Sequence, residues 1–489
     1  MKTPHDFMAG FQNWLVDSNT LCWALWVVGL IVLLVGLLSV MGRYPFASKR
    51  EIVARFKGFK WDRHSFCQHF LITGSTGSGK TLGGILKILF EAFTHQPHFG
   101  GLCVDVKGSL HEKVVAMAQH FGRIDDVLLL KVRGDADPQD WKPQHRLNLV
   151  GDRSIPFATH ARRVVDTAAA LGNKQEQSFF RRATQIHIGK GLEALHVLGY
   201  EVTLENVHNL LVNPADTAKI IEQLAAKKTF GGLVDHFANF LAQPPEQLAG
   251  ITGTIGNYLH YFTEPAIAEV FCRDSTFTLR DVDRGKIICL AMPQKYQTER
   301  RFVGTFIKLG VYAHGLSRFD AAPKERANHN LLVVLQDEFQ QFVTISEDGM
   351  SDHSVLDLAR EAGMAVVAAT QSTTSLVPVL GADAAKVLTL NLRNRMIFTA
   401  ADEDDAKASA EFIGKKTVKT KSWTWSNGKR SETLTESEDY RIKPTELRKL
   451  RKHRCVIVHA DGRFRKRTLP PLEPDGTVSR WFRRFWFTG

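Results

Sequence analysis

The stretch Phe70-Leu-Ile-Thr-Gly-Ser-Thr-Gly-Ser-Gly-Lys-Thr81 decides how the rest of the chain reads. Its first four residues form an apolar run of the kind a buried strand needs. The segment after it repeats apolar side chains at helical spacing: Leu82, Ile85, Leu86, Leu89 and Phe90. A glycine-rich turn between strand and helix is the setting in which this pattern cradles phosphates. Gly74, Gly77 and Gly79 let successive backbone N–H groups face one anionic chain, with the positive end of the helix behind it. The expected nucleotide-binding residues are therefore Gly74, Ser75, Thr76, Gly77, Ser78, Gly79, Lys80 and Thr81. Lys80 would reach the β- and γ-phosphates of ATP, and Thr81 would hold Mg²⁺. An ordinary Gly/Ser loop would account for the glycines but not for the whole pattern in these flanks.

With 489 residues the chain can build two or three cores. A formal net charge of +12 suits an anionic partner, nucleic acid or lipid headgroups, without choosing between them. The six cysteines are scattered with no CxxC pair, which argues against a disulfide framework or a zinc site and for a reducing compartment. Residues 21–41 carry no charge and are rich in Leu, Val and Trp, enough for a helix crossing roughly 30 Å of hydrocarbon. A cleaved signal peptide fits less well, because about twenty mostly polar residues precede the run and no small-x-small site follows it. Arg43, Lys49, Arg50, Arg55, Lys57, Lys60 and Arg63 follow the run, so the positive-inside bias places the long C-terminal part in the cytoplasm.

Beyond the first helix the chain alternates strand and helix, the pattern of a parallel α/β sheet. The run Gly101-Leu-Cys-Val-Asp-Val-Lys107 ends in Asp105 and Lys107, which either line a site at a strand's carboxyl end or make a structural turn. From about residue 154 to 249 helical spacing takes over, with Asn213-Pro214 a strong helix start. This reads as an all-helical domain inserted into the α/β domain. The pattern resumes at residue 285 and reaches Leu331-Leu-Val-Val-Leu-Gln-Asp-Glu338, an apolar strand ending in two carboxylates. Downstream of a full P-loop, Asp337 would bind Mg²⁺ through water and Glu338 would orient the attacking water. Gln336 stays unassigned. Gln371 ends the strand 364–370, where an amide could sense the γ-phosphate or merely cap the strand. Residues 415–440 read as a polar hairpin turning at Asn427-Gly428, and 455–459 as a last strand. From Arg441 on there are fourteen Lys/Arg against four acidic residues, ending in the aromatic and arginine-rich 481–487. That tail could stack on single-stranded nucleic acid, sit at a membrane surface or dock on a partner.

Assembled in this order, the residues resemble the coupling proteins of type IV secretion and conjugation systems. The resemblance is carried by Gly74 to Thr81, by Asp105-Val-Lys-Gly108 and by Leu147-Asn-Leu149. It continues through Thr252-Gly-Thr-Ile-Gly256, Phe262-Thr-Glu-Pro265, Asp337-Glu338, Ala359-Arg-Glu-Ala-Gly363 and Ala369-Thr-Gln-Ser372. Asn391, Asp402 and Arg441-Ile-Lys-Pro-Thr-Glu446 complete it. It implies a RecA-like P-loop ATPase with a parallel-rich sheet, an all-helical insert and an N-terminal transmembrane helix. The corresponding division is a periplasmic 1–20, a transmembrane helix 21–42 and a nucleotide-binding part 43–153. The helical insert 154–250, a second nucleotide-binding part 251–470 and a basic aromatic tail 471–489 follow. The resemblance also implies catalytic roles for Lys80, Glu338, Arg360 and Gln371. Arg360 would be an arginine finger reaching a neighbour's ATP in a homo-hexamer, with a plain surface charge on its helix as the lesser alternative. Mg²⁺ would fall to Thr81 and Asp337. Expected partners are single-stranded DNA held by its backbone, a relaxase or other cargo protein, and secretion components of the bacterial inner membrane. The family usually has two membrane helices, and this sequence offers one. A receptor for protein effectors, a double-stranded-DNA translocase and a membrane scaffold that binds nucleotide without hydrolysing it are the competing readings.

Overall fold

The computed structural model describes residues 51–171, 178–227, 230–346, 349–426 and 429–479, together with residues 23, 26–30 and 482. Residues 23 and 26–30 are helical and exposed; the rest of the expected span 21–41 lies outside the described residues. Among the described residues no helix is long and apolar enough to cross a membrane. The aromatic end 481–487 also lies outside them, apart from Phe482.

The compact unit begins at Ile52. It opens with a hairpin, β1 (Ile52–Phe56) and β2 (Phe59–Asp62), which sequence reading passed over as a run of charge. Strand β3 (Phe70–Thr73) leads through the P-loop into helix α1 (Leu86–His95). Then come β4 (Gly100–Val104), α2 (Leu110–His120) and β5 (Val127–Lys131). Seven helices follow without a strand: α3 (Phe157–Leu171), α4 (Ser178–Leu198), α5 (Leu204–Val212), α6 (Pro214–Ala226), α7 (Gly231–Leu241), α8 (Pro245–Leu259) and α9 (Pro265–Phe271). Asn213 caps α6 by accepting from Ala215 N at 3.1 Å, with Pro214 in the first turn. Pro245 opens α8, so helix continues well beyond residue 250.

The α/β pattern returns with β6 (Ile287–Ala291), α10 (Gln297–Ser317), β7 (Leu332–Gln336), α11 (Asp352–Ala359) and β8 (Met364–Thr370). Helix α12 (Ala382–Asn391), strand β9 (Asn394–Ile397) and helix α13 (Glu403–Ile413) follow. Strands β10 (Lys415–Ser426) and β11 (Lys429–Tyr440) pair antiparallel as a two-stranded sheet of their own, while the expected turn Asn427-Gly428 lies outside the described residues. Strand β12 (Arg454–Val458) is not the last: β13 (Phe464–Thr468) pairs with it antiparallel. Phe464-Arg-Lys-Arg-Thr468 has almost no apolar signal because it is an edge strand, where charge guards an open ladder.

The nine strands of the main sheet lie in the order β13-β12-β9-β3-β8-β7-β4-β6-β5. All neighbours from β9 to β5 run parallel, while β12 runs antiparallel to β9. Helices cover both faces, which is why the central strands are continuous apolar runs. Leu71 belongs to the apolar cluster shared with the helical insert and α10, whereas its neighbours Phe70 and Ile72 belong to the cluster under α1, α2 and β1–β2. Among the described residues the sheet and its clusters lie entirely from residue 53 onward, within the compact unit that starts at Ile52.

Just before β3, buried His69 ties the sheet to α11. Its Nδ1 accepts from Val366 N at 3.0 Å, so Nε2 carries the proton and donates to Leu356 O at 2.7 Å. Burial pushes this imidazole down to about 4, opposed by the bond to Leu356. With an unfolded value near 6.5, His69 contributes stability that is whole above pH 6.5 and is lost as the pH falls toward 4. The loss amounts to about 3 kcal/mol. Thermal unfolding of residues 43–489 is expected to move to lower temperature across that window. His69→Gln should start lower at pH 7.5 and move less.

Candidate nucleotide-binding site

The P-loop is held in place by its neighbours' backbones. Gly74 N donates to Gln371 O at 3.1 Å, Ser75 N to Thr399 O at 2.8 Å, and His453 N to Ser78 O at 2.8 Å. Gly79 takes φ 109°, and a Cβ there would lie 2.5 Å from His453 Nδ1, so glycine is required twice over at this position. The helix after the loop opens with a π turn, Lys80–Ile85, in which Leu86 N reaches Thr81 O. Gly83 in that turn lies against Leu469 O, where a Cβ would come within 2.6 Å. The segment after β13 thus backs the start of the P-loop helix, and Leu472 N donates to Leu82 O at 3.1 Å. Phe482 packs edge-on against His453. None of this backing was legible in the sequence.

Lys80 is buried, and its ammonium donates to Gly74 O and, at 3.2 Å, to Ser75 O. Burial lowers its pKa, while Glu338 and Asp337 act in the opposite sense. Thr81 Oγ1 donates to Asp337 Oδ2 at 2.8 Å. A threonine hydroxyl and a carboxylate in contact at the mouth of the loop are the pair that would share a Mg²⁺ ion's coordination shell. Burial raises the pKa of Asp337, partly offset by the bond from Thr81. Among the described residues the buried Ser78 hydroxyl has no hydrogen-bond partner, as suits a loop whose polar groups serve a bound anion.

Glu338 takes the left-handed conformation, φ 55° and ψ 51°, unusual for a residue with a side chain. Lys107 Nζ lies 3.4 Å from Glu338 Oε1, and Gln340 Nε2 donates to Oε2 at 2.7 Å. Gln340 in turn accepts from Thr370 Oγ1 at 2.8 Å, next to Gln371. Sequence reasoning missed Gln340; its position two residues after Asp-Glu was the one available signal. Asp105 has the structural role, accepting from Ser109 N and Leu110 N to cap α2, whereas Lys107 reaches Glu338.

Gln371 stands beside the loop, with its carbonyl on Gly74 N and its side chain exposed. Arg360 does not join this copy's site. It follows α11 and precedes the amino end of β8, whereas the P-loop and Gln371 lie at the carboxyl ends of β3 and β8. Seven residues of strand, roughly 23 Å, separate the two ends. The guanidinium is partly exposed, 3.5 Å from Glu361, and helps to lower the pKa of His69.

Gln336 turns away from the loop into the core. Its Nε2 donates to Tyr312 OH at 3.1 Å, and Tyr312 OH donates to Asp352 Oδ1 at 2.7 Å. Asp352 is the first residue of α11 and also receives Lys308 Nζ at 2.5 Å and Thr344 N at 2.8 Å. Lys308 donates to Phe342 O as well. A fully buried network therefore joins the strand of Asp337 to the helix that ends at Arg360.

A nine-stranded, parallel-rich sheet with a P-loop after one strand and an Asp-Glu pair after another defines the RecA-like P-loop fold. The chain belongs to the type IV secretory system conjugative DNA transfer family, whose model matches residues 43–463. Among solved structures it is similar to the bacterial conjugative coupling protein TrwBdeltaN70 in its unbound form. The TM-score is 0.65 at 16% identity, covering 90% of this chain and 93% of that one. TrwB in complex with ADP and Mg²⁺ gives 0.62 at 14% identity, over 90% and 95% of the two chains. VirB4 of Thermoanaerobacter pseudethanolicus gives 0.51 at 11% identity, over 88% and 99%. No curated protein matches the chain.

Lys308→Met leaves Asp352 charged and buried without its cation, which is expected to cost about 3–5 kcal/mol. Tyr312→Phe keeps the charge pair, removes one bond to the same carboxylate and the one received from Gln336, and is expected to cost about 1–3 kcal/mol. Urea unfolding of both variants checks the order.

Proposed function

We propose that this chain is a membrane-anchored ATPase that delivers single-stranded DNA, with its bound relaxase, to a type IV secretion channel. The observation that carries the reading is the 2.8 Å contact between Thr81 and Asp337, set in a chain that matches the conjugative DNA transfer family over residues 43–463. The Lys80 ammonium and the N–H groups of Gly77, Gly79, Lys80 and Thr81 hold the phosphates of ATP, and Thr81 with Asp337 holds Mg²⁺. Bound there, Mg²⁺·ATP supplies the phosphoryl bond whose hydrolysis powers transport. Glu338, kept in place by Lys107 and Gln340, orients water and takes its proton. Gln371, hung on Gly74, relays the state of the loop to the strand end. Arg360 acts on the site of a neighbouring copy in a hexameric ring, which agrees with its distance from its own P-loop. Residues 21–41 anchor the ring in the inner membrane, with the catalytic part in the cytoplasm.

No base-reading motif is present in the sequence, so DNA is held by its backbone and the affinity depends steeply on salt. ATP hydrolysis by residues 43–489 should rise on addition of single-stranded DNA, with the stimulation fading as salt increases. Glu338→Gln is expected to lower kcat by about a hundredfold or more while nucleotide binding persists. Stimulation by a cargo protein alone, with none by DNA, would replace the DNA reading with an effector receptor. Intact transfer by the Glu338→Gln variant in cells would remove the motor.

A further inference from the structure

The basic residues of the first hairpin and of the edge strand form one surface. The turn between β1 and β2 is Lys57-Gly58, with φ 51° and 85° at the two positions. It lies against β13: Arg467 Nε donates to Lys57 O at 3.2 Å, and the Arg465 guanidinium lies over the Phe59 ring at 5.9 Å. On the other side of the hairpin, Lys60 O contacts His459 Nε2 at 3.2 Å. Arg55 pairs across the hairpin with Lys60, and Arg55, Lys57, Lys60 and Arg465 are all exposed. The cations flanking this group are already neutralised, Arg463 by Asp461 and Lys466 by Glu446. Among the described residues Arg55, Lys57, Lys60, Arg465 and Arg467 have no ion-pair partner.

Guarding the open edge of β13 explains its arginines but not Lys57. A two-residue hairpin turn with positive φ at both positions favours Asn-Gly, and a lysine there holds its backbone in a strained region. Strain retained at an exposed turn marks a side chain with a use. The chain's route indicates which use. The sequence-predicted span ends at Met41 and the hairpin begins at Ile52, so the tether can extend no more than about 40 Å. Within that reach the nearest large anionic surface is the bilayer itself.

We propose that Arg55, Lys57, Lys60, Arg465 and Arg467 form a docking surface for anionic phospholipid headgroups, fixing the orientation of the catalytic unit beneath the membrane. This rests on the reading of residues 21–41 as a membrane anchor and goes beyond it. Residues 43–489, which keep the whole sheet, should sediment with phosphatidylcholine vesicles containing phosphatidylglycerol, and not with phosphatidylcholine alone. Each cation at such a surface contributes about fivefold in partitioning. Lys57→Gln/Lys60→Gln/Arg465→Gln should therefore weaken binding by about a hundredfold. Lys57→Asn separates surface from fold: it should raise the melting temperature, because Asn suits the turn, and still weaken vesicle binding about fivefold. Binding that ignores phosphatidylglycerol, or that survives the triple substitution, overturns the proposal. So does a triple variant that loses single-stranded DNA but keeps vesicles. Carbonate extraction of the full chain tests the anchor separately: a chain that resists extraction while its soluble part ignores the vesicles keeps the anchor and loses the surface.

Discussion

The hydrogen bond from Thr81 to Asp337 can form because β8 lies between β3 and β7 and holds them one strand apart. All three strands run parallel and are buried on both faces, so their carboxyl ends come out together. The P-loop, the Asp337-Glu338 pair and Gln371 follow three adjacent strands and meet for that reason. Slipping β8 by one residue would exchange the side chains that face the two apolar layers and separate Gln371 from Gly74.

The same strand that presents Asp337 faces the core with Gln336, and from there the buried network runs through Tyr312 to Asp352 and Lys308. Asp352 starts the helix that ends at Arg360, and His69 grips that helix at Leu356 O. The arginine is thus placed by the core that places the Asp337-Glu338 pair, although it lies at the opposite end of β8. In the proposed ring this links a subunit's own nucleotide site to the charge it offers a neighbour. A buried pair such as Lys308 and Asp352 contributes little net stability over an apolar replacement, yet it holds the helix in one position.

Much of this was legible in the sequence. Apolar runs and glycine-rich turns located β3, β7 and β8, and the Asn-Pro start located α6. The polar, β-prone composition of residues 415–440 located the paired strands β10 and β11. What escaped has physical causes. The edge strand β13 is charged on purpose and so carries no apolar period. The β1–β2 hairpin turns on Lys-Gly, a pair that no turn rule singles out. Gln340, His453 and the lining after β13 act through contacts made only by folding, and spacing along the chain cannot reveal them.

The central claim is that the site assembled here is one half of a catalytic unit and that Arg360 of another copy completes it. Mixing two inactive variants tests this directly. Lys80→Ala loses its own nucleotide site but still offers Arg360, while Arg360→Ala keeps its site and offers nothing. Each is expected to be inactive in ATP hydrolysis by itself, and a mixture of the two should recover activity. A mixture as inactive as its parts, or an Arg360→Ala variant with undiminished hydrolysis, would contradict the account.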